Sequence, residues 1–244
     1  MEKITSKNNE KIKLARLLSN SKKYRDEHGL FLLESPKVIK SFPHLIKYLF
    51  LSSEIQEAAA VTCYQVDKSI LKSVAGMASS PGILAVAKKP VANKSDLPNR
   101  GTVVLLDDIQ DPGNVGAIIR TAVAFGCKAI LYTKGTADPF SPKVVRASAG
   151  TILQVPLIKI DENISFLQEA GYTIVCAVSD GGADINELSS LNRDKVALVF
   201  SNEGSGSNSK LLDYADNKVT ILHDKKVESL NVGVAAGIIM KYLY

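Results

Sequence analysis

Apolar positions in the second half of the chain fall in short unbroken runs divided by polar turns. TVVLLDD (102–108), CKAILYT (127–133), TILQVPLI (151–158), YTIVCAVS (172–179), KVALVFSNE (195–203) and KVTILH (218–223) read as strands. Such runs, rich in β-branched residues, suit strands buried on both faces. Segments of helical spacing lie between them. One runs from about Val115 to Phe125 and stops at Gly126, and ISFLQEAG (164–171) is ended by Gly171. SPKVVRASA (141–149) opens with Ser141 as N-cap and Pro142 at the first helical position. LNVGVAAGIIMKYLY (230–244) closes the chain as a helix whose Gly233, Ala235, Ala236 and Gly237 suggest close packing on another backbone. Strands alternating with helices predict an α/β fold with a mostly parallel sheet covered on both faces. Ligands of such sheets bind beyond the carboxyl ends of the strands.

The first half is less regular. Residues 9–20 read as a helix, with Ile12, Leu14, Ala15, Leu17 and Leu18 at its apolar positions. LFLLE (30–34), LIKYLFLS (45–52) and ILAVAKK (83–89) read as short strands or buried segments, with helices around 35–41, 54–59 and 67–74. This predicts a small α/β domain of about 90 residues. KKPVANKSDLPNRG (88–101), with two prolines and no apolar periodicity, marks a boundary. The expected division is 1–92, a linker at 93–101, and 102–244.

Composition narrows the class. Of the 244 residues, 45% are hydrophobic and 23% charged, as in folded soluble proteins. No apolar run reaches the roughly 18 residues of a membrane span, and the N-terminus lacks the apolar core of a secretory signal. Cys63, Cys127 and Cys176 form no CxxC pair, which speaks against a disulfide framework or structural zinc and fits a reducing cytoplasm. The net charge of +5 hides an asymmetry: residues 1–100 hold 17 Lys/Arg against 9 Asp/Glu. Eight of those basic residues fall in the first 25 positions. A basic arm suggests a polyanionic partner; a solvated, lysine-rich helix would read the same way.

Three strand ends carry residues that packing alone would not choose. In DPGNVGAIIRTA (111–122), Pro112 and Gly113 make a turn, Asn114 is placed to cap, and Arg120 follows among apolar neighbours. Two readings stay open for Arg120. It is a ligand-facing charge, or it snorkels or pairs with Asp108 or Asp111. SNEGSG (201–206) offers glycines that let backbone approach a ligand, or is an ordinary loop. ESLNVGVA (228–235) places Ser229 and Asn231 at a helix start, where either could be no more than a cap. The turn DPGNVG lacks the GxGxxG of a dinucleotide site, and no GxxxxGK[ST] is present. His28, His44 and His223 share no metal-ligand spacing.

Together the three segments resemble the SpoU-type (TrmH-like) RNA 2′-O-ribose methyltransferases of the SPOUT superfamily. The linking segment SPKVVRASAG (141–150) is similar as well, and the resemblance covers residues 103–244. The N-terminal part is similar, more loosely, to the family's RNA substrate-binding domain. The resemblance implies a C-terminal trefoil knot and S-adenosylmethionine held by the last three loops, at Ser201, Gly204, Ile221 and Leu230, with Thr133 a further contact. It implies a homodimer, no metal, and Arg120 beside the reacting hydroxyl, with Asn114, Glu203, Ser229 and Asn231 at the other polar positions. Structured RNA, ribosomal rather than transfer RNA, would then meet Lys22, Lys23 and Arg25, with Lys143 and Arg146 for phosphate. The chain departs from the family at three places: Ser201 stands for a glycine, Leu222-His223 for Pro-Met, and Ser35 for the glycine of a Glu-Gly pair. These departures leave open an alternative, an RNA-binding or ribosome-assembly factor weakened in catalysis on the same fold.

Overall fold

The computed structural model describes residues 1–52, 61–75, 82–202, 210–224 and 226–244. The first part of the chain forms β1 (Glu2–Ile4), α1 (Glu10–Asn20), α2 (Lys22–His28), β2 (Leu30–Leu33), α3 (Pro36–Ser41), β3 (Ile46–Leu51), β4 (Cys63–Val66), α4 (Lys68–Ala75) and β5 (Ile83–Lys88). Its five strands make a mixed sheet in the order β1-β4-β3-β5-β2. The helices expected at 9–20, 35–41 and 67–74 are present, as are the three strands. The short strands β1 and β4 and the polar helix α2 carry no apolar signature of their own and were not expected. The helix expected at 54–59 lies outside the described residues.

The second part forms β6 (Gly101–Asp107), α5 (Pro112–Ala124), β7 (Ala129–Tyr132), α6 (Pro142–Ala147), β8 (Leu157–Lys159), α7 (Ser165–Glu169), β9 (Thr173–Ala177), β10 (Ala183–Asp184), β11 (Lys195–Ser201), β12 (Asn217–Thr220) and α8 (Val232–Leu243). The seven strands lie in the order β10-β12-β9-β11-β6-β7-β8, and every neighbouring pair is parallel. The strand read over 151–158 is confined to Leu157–Lys159, because Thr151–Leu153 curl into a 3-10 turn and Pro156 withholds a backbone donor.

Alternation within β6 shows how both faces are filled. Val104 and Leu106 enter one core with α5, α6 and α8, while Val103 and Leu105 enter another beneath α7. Strand β2 splits the same way: Phe31 and Leu33 join the core shared with the parallel sheet, whereas Leu30 and Leu32 pack under α1 and α4. The two sheets therefore meet through a continuous apolar seam. Phe31 meets Phe140 edge-on at 5.2 Å, and the Lys89 ammonium lies 4.8 Å from the centre of the Phe140 ring. Gly150, with φ at +81°, stands where a Cβ would come 2.3 Å from Val38 Cγ2, so only glycine lets the chain pass.

The seam also overturns one expectation. Arg25, expected to bind RNA, is 4% exposed. Its Nε donates to Asp138 Oδ2 at 2.7 Å, and its Nη1 donates to the Leu18 carbonyl at 2.6 Å. A guanidinium enclosed in this way has no face left for phosphate. Its role is to bind α2 to the segment ahead of α6.

Candidate active site

The carboxyl ends of the parallel strands are fastened by one side chain. Strands β6 and β11 run in register, so Asp107 lies beside Ser201. Asp107 Oδ1 accepts from Thr133 Oγ1 at 3.0 Å, and its Oδ2 accepts from Ser201 Oγ at 3.4 Å. Thr133 Oγ1 in turn accepts from the Asp108 amide at 3.0 Å. Thr133, expected at the cofactor, is instead buried at this junction, 4% exposed, and borders a separate hollow with Asp107, Asp108 and Lys134. Its hydroxyl is occupied in holding strand ends together.

A cavity of about 270 Å³ opens between the ends of β9, β11 and β12 and the start of α8. Ser201, Ile221, Ser229 and Leu230, all expected at the cofactor or the reaction, line it. Its walls are apolar, from Ala177, Phe200, Val219, Val232 and Ile239, and it also carries polar side chains at Ser179, Asn202, Glu228 and His223. An aliphatic slot with hydroxyl, amide and carboxylate groups around it matches a nucleoside bearing a charged amino-acid tail, which is the make-up of S-adenosylmethionine. Two departures from the family leave this lining usable. The Ser201 hydroxyl is taken up by Asp107, and Leu222 is 75% exposed and outside the lining. Glu203 and Gly204 lie outside the described residues.

Helix α5 starts with Asp111 as N-cap, its Oδ1 accepting from the Asn114 amide at 2.8 Å, and Pro112 at the first position. Gly116 permits a close crossing, since a Cβ there would come 2.4 Å from that of Ala147. Helix α8 starts with Asn231, whose Oδ1 accepts from the Gly233 and Val234 amides at 2.9 and 3.3 Å. The same side chain donates through Nδ2 to Asn114 Oδ1 at 3.0 Å, joining two helix starts that lie 117 residues apart. The small residues of α8 pack where expected, with Gly233 near Ala117 and Gly237 near Thr121.

Arg120 lies on the open side of α5, on an exposed stripe with Gly113, Ala117 and Ala124. The carboxylates weighed as its partners are engaged elsewhere: Asp111 caps the helix, and Asp108 accepts from Gln110 Nε2. Among the described residues no ion pair holds Arg120. The structure thus joins Asn114 and Asn231 close to Ser229 of the cavity lining, and among the described residues no counter-charge meets Arg120, less than two turns further along α5.

The remaining basic residues divide. Lys22, Lys23 and Lys143 are exposed, and Lys23 makes a surface pair with Glu27 at 3.7 Å. Arg146 donates to Glu34 Oε1 at 3.0 Å across the seam, keeping about a third of its side chain open. Burial raises the Glu34 carboxyl above its usual range, and the Arg146 charge offsets part of that shift. Sequence reasoning missed Asp107, Asp138 and His223. The partners of both aspartates are distant in the chain. The histidine was weighed only for metal spacing and as a departure from the family. Among the described residues no helix is long and apolar enough to cross a membrane, and no group of three His, Cys, Asp or Glu could hold a metal ion.

Comparison with known proteins gives this geometry a lineage. Residues 101–241 match the SpoU rRNA Methylase family. The chain is 29% identical over 252 residues to the 23S rRNA (guanosine(2553)-2′-O)-methyltransferase RlmP of Bacillus subtilis, covering 100% of this chain and 99% of that protein. It is 30% identical to an uncharacterized tRNA/rRNA methyltransferase of Synechocystis, over 97% of this chain and 91% of the relative. An AdoMet-bound rRNA methyltransferase from Sinorhizobium meliloti superposes with a TM-score of 0.88 at 25% identity, over 99% of this chain and 97% of that one. The family match spans more than half of the sequence, and the chain belongs to the SpoU rRNA methylase family of S-adenosylmethionine-dependent RNA methyltransferases.

Proposed function

We propose that the protein methylates a ribose 2′-hydroxyl of structured RNA, ribosomal rather than transfer RNA, and acts as a homodimer in the cytoplasm. The observation that carries this reading is the exposed Arg120, unpaired among the described residues, on a helix whose start is tied by Asn114 and Asn231 to the border of the cavity. Ser201, Gly204, Ile221 and Leu230 would hold S-adenosylmethionine there, with Ser229 and Asn231 at the polar border of the reaction and Glu203 orienting Arg120 or the ribose. Bound, the cofactor supplies an electrophilic methyl group.

The chain's own residues then have two tasks. One is to fix the acceptor oxygen in line, which supplies much of the rate in a displacement. The other is to stabilise the negative charge that grows on a poor nucleophile. A guanidinium is a fixed cation with donors only, so Arg120 serves better as electrostatic partner of the developing alkoxide and the adjacent phosphate than as a base. Asn114 would orient Arg120 or the ribose. Lys22, Lys23 and Lys143, with the open part of Arg146, would take phosphates, and residues 1–92 would form the RNA-holding domain ahead of the 93–101 linker.

Three further observations support the rest. Val234 and Ile238 are exposed on α8 beside Gly233, Gly237 and Tyr242, an apolar hollow that a second copy would cover. Strand β12 inserts between β10 and β9, an arrangement that suits a knotted C-terminus. Cys63, Cys127 and Cys176 are free thiols, which suits a reducing compartment. The ribosomal preference rests on the 23S rRNA named for the Bacillus subtilis relative. Transfer of tritium from labelled S-adenosylmethionine to total RNA, measured for wild type and Arg120→Ala, tests the proposal. Incorporation is expected with the first and not the second; equal labelling by both would remove Arg120 from the reaction.

A further inference from the structure

The cavity carries a side chain to which the proposed chemistry gives no task. His223 lines it three residues beyond the end of β12, where the family resemblance sets a methionine. Its Nδ1 lies 2.8 Å from the carbonyl oxygen of Ile221, two residues back. A carbonyl can only accept, so the proton of the neutral ring sits on Nδ1 and Nε2 is left as an acceptor. Among the described residues none donates to Nε2. The backbone bond fixes the ring against the cavity wall, so the acceptor belongs to the site rather than to a mobile surface chain.

We propose that His223 is a specificity-determining residue of the donor site, accepting at Nε2 a hydrogen bond from the exocyclic amine of the donor's adenine. The inference rests on the reading of this cavity as the S-adenosylmethionine site. That molecule offers three kinds of donor. Its ammonium group is a cation and is better matched by the Glu228 carboxylate, which borders the same cavity. Its ribose hydroxyls both donate and accept, so an acceptor cannot sort them. The base amine is neutral, flat and donor-only, and it suits an imidazole acceptor in a lining that also carries the aliphatic Ile221 and Leu230. A purine with a carbonyl in place of that amine would bring acceptor against acceptor and leave both unsatisfied.

Titration calorimetry of the full chain with S-adenosylhomocysteine and S-inosylhomocysteine tests this without turnover. Wild type should bind the inosyl ligand at least about tenfold more weakly, ~1.4 kcal/mol. His223→Gln places an amide near Nε2 that can turn its oxygen or its nitrogen to the base, and should bind the adenosyl ligand as wild type does and the inosyl ligand more tightly than wild type does. His223→Asn keeps a group near Nδ1 to meet the Ile221 carbonyl but loses the acceptor, and should bind the two ligands alike; His223→Leu should do the same. If Asn or Leu retains the preference, the histidine only shapes the loop and the proposal fails. Equal binding of both ligands by wild type also overturns it, while leaving the cavity assignment standing. Binding of neither ligand overturns that assignment as well.

Discussion

Two arginines expected to meet RNA have opposite fates. Arg25, in the seam between the sheets, is enclosed and neutralised by Asp138 and a backbone carbonyl. Arg120, on α5, is open to solvent with nearby carboxylates turned to other duties. Both stretches read as basic positions in the sequence. What separates them is whether the fold supplies a counter-charge. A seam gains cohesion when its charges are paired and hydrogen-bonded, whereas a site for an anion needs a charge left without a partner.

Removing Arg25 should give the largest effect. Arg25→Ala strands Asp138 in the interior and is expected to lower unfolding stability by ~3–5 kcal/mol, read from urea denaturation. Asp138→Asn should be costly too, and the double variant should lose less than the two single losses combined. Strict additivity would mean the pair is not coupled. Arg120→Ala should do the reverse, reducing methyl transfer by about 10²–10³-fold while leaving the urea midpoint in place. A shifted midpoint would put Arg120 in the same class as Arg25.

Smaller effects sharpen the contrast. Replacing Lys22 and Lys23 by glutamine should flatten the salt dependence of RNA affinity, each lost phosphate contact lowering the log–log slope by up to about 0.9. An unaltered slope would move the RNA surface away from α2. Burial pushes the Cys127 thiol up to about 11 and that of Cys176 to about 12. Because these folded values exceed the ordinary thiol pKa of about 8.5, their contribution is intact below it and is lost as pH rises toward about 11. The thermal midpoint should therefore fall between about pH 8 and pH 10.5; a flat midpoint would contradict the burial of these thiols.

The parallel sheet was legible because its strands are apolar runs and several of its helices are punctuated, by Asp111-Pro112 and Ser141-Pro142 at their starts and by Gly126 and Gly171 after their ends. The lining at Ser201, Ile221, Ser229 and Leu230 was legible through motif order. Other features had no local signature. Strand β10 is two residues, Ala183–Asp184, set by pairing with β12 rather than by hydrophobicity. Helix α2, KKYRDEH, looks like a solvated basic tract, and the burial of its Arg25 depends on an aspartate 113 positions later. Thr133 was misplaced for the same reason, its hydroxyl being claimed by an aspartate on a neighbouring strand.

The bare backbone of Gly150 pressed against Val38 closes the seam at a point where a hinge would otherwise have to flex. Arg25 on Asp138 and Phe31 on Phe140 fasten the same seam by charge and by ring contact. If RNA rests on the first sheet's domain as proposed, a seam of this kind would help decide which sugar reaches Arg120.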